Sequence, residues 1–243
     1  MVTCLVNSFR PQVGFASIEL LKGAACKVSI PKSQTCCGQA NYNSGDMQGA
    51  KELAKKTIKE FEKFDYIVAP SGSCIGSIKA YPSLFNASDD WHSRAQNFIK
   101  KTYELTSFLV EVLGFKPAVT FEENVTYHDA CTGLRELDIK EQPRNLLKAA
   151  GAKIIEMDEG DVCCGFGGLF SVKFSDISDR IVENKTAHIE NTDAQFLAGG
   201  DLGCLMNMAG KLKRLGSNIT VHHVAEILAG HINDEGILGN DKS

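Results

Sequence analysis

The stretch Cys36-Cys37-Gly38 recurs as Cys163-Cys164-Gly165, and this repeated tripeptide decides how the chain is organised. In each case a single cysteine precedes the pair by 31 intervening residues, and another follows it after 36 or 39 residues. Eight of the nine cysteines thus form a first set and a second set: Cys4, Cys36, Cys37 and Cys74, and Cys131, Cys163, Cys164 and Cys204. Such a register predicts a duplicated metal or cluster site.

Composition narrows the class of protein. The chain has 243 residues, 43% hydrophobic and 23% charged, with a formal net charge of -4, which is typical of a soluble globular protein. This mild acidity gives no electrostatic footprint for nucleic acid, and no apolar run approaches a membrane span. The N-terminus lacks the features of a secretory signal. Nine cysteines without such a signal predict a cytoplasmic protein whose thiolates serve metals or redox chemistry rather than disulfides.

Strand and helix patterns alternate along both halves, which predicts an α/β fold with a small parallel sheet flanked by helices in each half. Predicted strands cover 27–30, 65–69, 125–128, 153–157 and 194–197. Predicted helices include segments around 18–23, 47–61, 143–150 and 174–181, one starting near Cys204, and an amphipathic helix over 98–112 that joins the halves. The cysteines fall at or just beyond carboxyl ends of strands, where ligands bind in parallel sheets.

The repeat divides the chain into 1–118, the first unit, 119–232, the second unit, and 233–243, an exposed C-terminal tail. The two units differ at their first strand, because the residue equivalent to His128 in the first unit is Met1. Either that strand is shortened, or the chain begins upstream of Met1.

Soft thiolates favour iron–sulfur clusters or zinc. Adjacent cysteines fit a single tetrahedral zinc ion poorly, since zinc ligands come as Cys-x2-4-Cys pairs, whereas a flexible Cys-Cys pair can supply two irons of one cluster. Gly38 and Gly165 would allow the backbone to approach inorganic sulfide closely. Structural or redox thiols remain a third interpretation. Cys26, outside the repeat, is predicted to be a core residue.

These residues carry a family resemblance over almost the whole chain. The pattern resembles the CCG, or cysteine-rich, domain of heterodisulfide reductases and of glycolate oxidase iron–sulfur subunits, and most closely the lactate utilization protein A family. The segments that carry it are Cys36-Cys37-Gly38-Gln39, Pro70-Ser71-Gly72-Ser73-Cys74, Tyr81-Pro82, Cys163-Cys164-Gly165-Phe166-Gly167-Gly168, Phe170-Ser171-Val172-Lys173, Asp201-Leu202-Gly203-Cys204-Leu205 and His223-Val224-Ala225-Glu226-Ile227-Leu228.

In the heterodisulfide reductase branch each motif ends in Cys-x-x-Cys, which gives five cysteines for an unusual noncubane cluster. Here Ser71 and Asp201 stand at the first position of that ending, so four cysteines remain in each unit. The resemblance then implies one or two [4Fe-4S] clusters held by the two sets of cysteines, with zinc an alternative in one site. Asp201 could be a ligand, an acceptor beside the ligands, or the N-cap of the helix that begins there.

The resemblance further implies an iron–sulfur redox subunit, inactive alone, that takes part in the oxidation of L-lactate to pyruvate. It would relay electrons or bind a small 2-hydroxy acid at a cluster, and its partners would include another iron–sulfur protein. The alternatives are a zinc-stabilised scaffold that docks redox partners, and a component of a thiol or disulfide reductase.

Three histidines lie near the predicted sites. His128 could accept a proton from a hydroxy acid, donate a hydrogen bond to a cluster sulfur, or be an ordinary core histidine. His222 and His223 precede a predicted helix, and one of them could cap it or face the site.

Overall fold

The computed structural model describes residues 1–232 and 236–238. Within them the helices are α1 (Cys4–Phe9), α2 (Pro11–Gly23), α3 (Gln39–Ser44), α4 (Met47–Phe61), α5 (Gly72–Lys79), α6 (Asp90–Ile99), α7 (Leu105–Ser107), α8 (Cys131–Leu137), α9 (Glu141–Ala149), α10 (Leu169–Lys173), α11 (Ser175–Glu190), α12 (Leu202–Leu215) and α13 (Val224–Leu228). The strands are β1 (Ile67–Ala69), β2 (Thr102–Glu104), β3 (Asn124–His128), β4 (Lys153–Ile154), β5 (Phe196–Gly199) and β6 (Thr220–His223). None of the helices described is long and apolar enough to cross a membrane.

All strand pairs among the described residues are parallel, which confirms the predicted α/β class. The second unit holds four strands in the order β4-β3-β5-β6, and the first unit holds the pair β1-β2. In the larger sheet the register places His128 opposite Gly199, and Gly199 opposite His223. Parallel strands that leave in one direction bring their following loops to one edge. The first cysteine and the last cysteine of the second set both follow strands at this edge.

The first unit lacks the counterparts of β3 and β4 in the part of the chain that the structure describes. Residues 27–30, predicted to be a strand, are not assigned as one. Met1 occupies the place of His128, and its amino nitrogen donates to the carbonyl of Val68 in β1 at 2.6 Å. A groove of about 600 Å³ lies beside this edge, lined in part by Val28 and Ile67. The first sheet therefore has an incomplete edge where the second has two paired strands.

The predicted helix over 98–112 is wrong. Helix α6 ends at Ile99, and residues 102–104 form β2, which pairs with β1. The β-branched and aromatic residues Thr102 and Tyr103 suit a strand. A short helix, α7, and a π-helix over Phe108–Val112 follow. The apolar spacing misled because Leu105 and Leu109 are indeed buried one helical turn apart, but upstream of them the chain is extended.

The two units interlock through their helices. In each unit the first helix starts at the first cysteine (α1, α8), and the next helix follows it (α2, α9). These pairs pack on the other unit: α1 contacts α12 and α2 contacts α13, while α8 contacts α5 and α9 contacts α7. Val6 and Val13 accordingly belong to a core cluster that also contains Leu197 and Leu205. The core thus runs across the predicted boundary at residues 118 and 119.

Smaller differences concern the ends of elements. The strand predicted at 153–157 is confined to β4, and the strand predicted at 194–197 is shifted to 196–199. The predicted exposed tail lies mostly outside the described residues. Within it Ile237 is an exception, because its side chain is buried in a core cluster and its amide donates to the carbonyl of Val221.

Candidate metal centres

The first set of cysteines converges from three segments. Cys4 starts α1, and Cys74 lies in the first turn of α5, just beyond the carboxyl end of β1. The Cys36-Cys37 pair occupies the loop before α3. Cys37 is buried and its carbonyl accepts a hydrogen bond from the Tyr81 hydroxyl at 2.8 Å, which anchors the pair to the first core.

The second set is built in the same way. Cys131 starts α8 after β3, Cys204 lies in the first turn of α12 after β5, and the Cys163-Cys164 pair occupies a loop. The carbonyl of Cys164 accepts a hydrogen bond from the side-chain amide of Asn207 at 2.9 Å. In both sets the last two thiols are buried, and the first two are at least partly accessible.

The thiols within each set contact one another in the same order. The thiol of Cys36 interacts with the thiols of Cys4 and Cys37, and the thiol of Cys37 also interacts with that of Cys74. The pKa of Cys36 is lowered because the Cys37 and Cys4 thiols donate to its sulfur, and the pKa of each donor is raised in return.

In the second set the equivalent connections join its four members in chain order: Cys131 to Cys163, Cys163 to Cys164, and Cys164 to Cys204. The structure therefore brings together all eight predicted ligands, in two groups of four.

Backbone N–H groups point at the sulfurs in both sets. The amides of Leu5 and Gly38 favour the thiolate forms of Cys4 and Cys36. The amide of Gly165 donates to Cys163 at 3.3 Å. Such hydrogen bonds favour thiolates over thiols and are among the features that tune protein-bound iron–sulfur clusters. Four soft donors with amide hydrogen bonds, half of them buried, fit a metal or iron–sulfur group.

The glycine after each pair is needed for a left-handed backbone. Gly38 has φ +85° and Gly165 has φ +82°, a conformation that costs residues with a Cβ about 1–2 kcal/mol. A Cβ at Gly165 would also lie 2.8 Å from the Ser178 carbonyl oxygen, whereas a Cβ at Gly38 would come no closer than 3.4 Å, to Leu53. Each glycine thus packs against the long helix downstream of its loop.

Ser71 and Asp201 meet across the two units. The Ser71 hydroxyl donates to Asp201 Oδ2 at 3.1 Å, and the Ser73 amide donates to the same oxygen at 2.9 Å. Ser71 also accepts from the Cys74 amide and so caps α5. Asp201 stands at the N-cap position of α12 but makes no side-chain hydrogen bond to that helix. Of the three roles considered for Asp201, the N-cap of its own helix is therefore wrong, because its side chain accepts hydrogen bonds from the start of α5 in the other unit.

His128 is brought to the second set. Its side chain is 1% exposed, neither ring nitrogen has a hydrogen-bond partner among the described residues, and its ring lies in a compact group with Cys164 and Cys204. The ligand atoms of the three residues lie within 4.8 Å of one another. Burial lowers the pKa of His128 to about 3, with a smaller contribution from the Lys185 ammonium, so the ring is neutral and can offer a lone pair.

Lys185 is a functional candidate that sequence reasoning missed. Its side chain in α11 is only 2% exposed, and its ammonium donates to the carbonyls of Glu159 and Gly160 at 2.7 and 2.9 Å. Burial lowers its pKa, while the nearby Cys164 opposes this. Ile181 packs on Gly165 and Leu53 packs on Gly38, so these two residues are equivalent in the two units. Lys185 lies one helical turn after Ile181, and the residue at the same distance after Leu53 is Thr57. Only that internal alignment could have marked this lysine.

His222 and His223 lie at the end of β6 and are both buried. The Nδ1 atom of His223 accepts from the Ala225 amide, and Glu226 completes a capping box for α13. This confirms the capping role considered for one of the two. Cys26, predicted to be core, is partly exposed instead, and its thiol contacts the carbonyl of Ala24 at 3.9 Å. It lies on a short turn rather than within a paired strand.

A known protein family matches the chain in two segments, one in each unit. The family model of the cysteine-rich (CCG) domain matches residues 1–79 and 125–209, which include all eight cysteines of the two sets. The two thiol centres and their supporting loops are thus the features of a cysteine-rich domain protein.

Curated relatives narrow this class. The chain is 43% identical over 232 residues to lactate utilization protein A of Oceanobacillus iheyensis, covering 95% of each chain. It is 45% identical over 228 residues to the protein of that name from Geobacillus sp. (strain WCH70), covering 93% of this chain and 96% of the relative. It is also 45% identical over 237 residues to lactate utilization protein A 2 of Bacillus cereus (strain 03BB102), covering 96% and 97%. The chain belongs to the lactate utilization protein A family.

Proposed function

We propose that this protein acts in lactate utilization as an iron–sulfur redox subunit of a complex that oxidises L-lactate to pyruvate in the cytoplasm. The observation that carries the proposal is the pair of four-thiol groups in which the corresponding cysteines are neighbours, in a chain whose relatives are named for lactate utilization. An iron–sulfur cluster, when bound, supplies one-electron transfer, which thiols alone do not provide. Other subunits of the complex would deliver and remove these electrons.

The residues of this chain would have separate parts in that function. The first and second sets would each hold a [4Fe-4S] cluster through four thiolates. The amides of Leu5, Gly38 and Gly165 would stabilise the negative sulfur atoms. The partly accessible cysteines of each set, such as Cys4 and Cys131, mark the side from which an iron–sulfur partner or a small 2-hydroxy acid would reach the centre.

Anaerobic isolation tests the proposal directly. Iron, sulfide and zinc would be quantified per chain, and the reduced protein would be studied by electron paramagnetic resonance. We expect about four to eight irons with matching sulfide, and a paramagnetic signal after reduction. Addition of lactate to the assembled complex should then reduce the clusters. Zinc without sulfide would contradict the redox role.

A zinc-stabilised scaffold is the second candidate, and one observation favours it. The compact group of His128, Cys164 and Cys204 contains the nitrogen and sulfur ligands found in structural zinc sites. In this case the chain would dock redox partners without transferring electrons itself. A stoichiometric zinc content that survives anaerobic handling, together with unchanged electron transfer after zinc is replaced by another ion, would support the scaffold.

A further inference from the structure

We infer that His128 is a metal ligand of the second centre, so that the two centres differ in their donors: four thiolates in the first, and thiolates plus an imidazole in the second. This inference rests on the proposed metal-binding role of the second set but not on the choice of metal.

The position of His128 favours a ligand over a core residue. His128 ends β3 at the edge of the sheet where Cys131 begins α8 and Cys204 lies in the first turn of α12. One of its ring nitrogens and the buried sulfurs of Cys164 and Cys204 all lie within 4.8 Å of one another. The ligand atoms of one metal ion, or of neighbouring irons of one cluster, lie at such distances from one another.

The missing hydrogen bonds of His128 are the second, independent observation. Buried polar side-chain atoms are normally hydrogen-bonded, and one without a partner destabilises the folded state. Both nitrogens of this ring lack a hydrogen-bond partner within the described chain, although the residue is almost completely buried. A bond to a metal would occupy one lone pair and remove part of this cost.

The internal repeat makes the inference specific to one centre. In the first unit the residue equivalent to His128 is Met1, and its amino nitrogen donates a hydrogen bond to the carbonyl of Val68. A neutral imidazole in place of, or in addition to, a thiolate reduces the negative charge of a centre and raises its reduction potential. The second centre would therefore accept an electron before the first.

The matched control is His222, which is 0% exposed, also lacks partners for both ring nitrogens among the described residues, and lies outside the group of His128. The experiment is pulsed electron paramagnetic resonance of the reduced full-length protein, labelled with ¹⁵N-histidine. We expect a strong nitrogen coupling that changes with the label, is lost in His128→Leu and persists in His222→Leu. Amide hydrogen bonds to sulfur give only weak couplings, and these do not respond to the histidine label.

Several outcomes would overturn the inference. One is a reduced wild-type protein without a strong, label-sensitive nitrogen coupling, a result that requires no variant to fold. Another is a coupling that persists in His128→Leu. If the isolated protein holds zinc and no iron, the redox proposal fails, but X-ray absorption at the zinc edge still decides: an imidazole shell lost only in His128→Leu supports the inference, and an all-sulfur shell contradicts it.

Discussion

The two units reach the same arrangement of thiols from unequal scaffolds. The second unit has a four-stranded sheet with β3 paired on both sides, whereas the first has two strands and an open groove at the corresponding edge. Nevertheless the sulfurs connect in the same order in both. The comparison shows that the centres are positioned by the glycine loops and the helix starts, and that a complete sheet is not required.

The surroundings of the centres differ more than the centres themselves. The second has His128 and the buried ammonium of Lys185 beside its thiols, where the first has Met1 and Thr57. Since a nearby cation stabilises thiolates and added electrons alike, we expect a redox group bound at the second centre to be the more oxidising of the two. Equal sets of cysteines therefore need not give equal reduction potentials.

Removal of one buried thiol from either set should have the largest effect. Cys37→Ser and Cys164→Ser should each abolish metal binding in one unit and leave the other loaded, so that metal content falls by about half, because a buried hydroxyl is a poor ligand for soft metals. Metal analysis of the anaerobically purified variants measures this. Cys26→Ser, outside both sets, is the control with unchanged content. Full loading of Cys164→Ser would refute the ligand assignment.

Replacement of the two loop glycines should lower the free energy of unfolding by different amounts. Gly165→Ala should lose about 2–5 kcal/mol of the free energy of unfolding, because positive φ and a forced contact with the Ser178 carbonyl add together. Gly38→Ala should lose only about 1–2 kcal/mol, the conformational part alone. Denaturant unfolding of both variants gives the two values. An equal loss would mean that the helix contact at Gly165 relaxes freely.

The last strand of each sheet ends in a buried titratable cap, Glu104 in the first unit and His223 in the second. Burial raises the pKa of Glu104 from 4.5 to about 7, against hydrogen bonds from Thr106 and Ser107 that lower it. Between these two pH values the folded protein holds a proton that the unfolded chain has released. Stability therefore falls as pH rises from about 4.5 to about 7, and it does not fall further above that range.

Glu104→Gln should remove this dependence, since its amide needs no proton. We expect the stability of the variant relative to the wild type to rise by on the order of 3 kcal/mol between pH 4.5 and 7. Unfolding measured across this pH range tests the expectation. The cap in the second unit titrates in the opposite sense, because burial lowers the pKa of His223, so its contribution declines only toward acid pH. A parallel decline in the variant would show that Glu104 is not the source.

The smallest effect should come from the contact between units. Asp201→Ala removes the acceptor for the Ser73 amide and the Ser71 hydroxyl and should cost about 1–2 kcal/mol, the usual range for a lost helix cap. Ser71→Ala removes a cap within the first unit and should cost a similar amount. The double variant should cost less than the sum, because Ser71 and Asp201 share one hydrogen bond. Strict additivity of the unfolding free energies would contradict that coupling.

Sequence reasoning succeeded where the internal repeat or a strong pattern supplied the information. The repeat predicted both sets of thiols, and β3, α2, α4 and α9 follow from periodicity. It failed at residues 98–112, where apolar spacing suits a helix but pairing with β1 selects a strand. The contact of Ser71 with Asp201 depends on how the units pack, which no local pattern encodes. Lys185 was missed because lysine in an amphipathic helix is normally solvated.

The exchange of helices between units makes the chain a covalently linked pseudo-dimer. Because α1 and α2 pack on α12 and α13 of the second unit while α8 and α9 contact α5 and α7 of the first, the two halves contribute to each other's core. The exposed segment near Gly114 links the two halves covalently. Their association is therefore intramolecular and corresponds to a high effective concentration. A chain cut there would still be held by the exchanged helices, and a single unit without its twin would need a second copy to replace it.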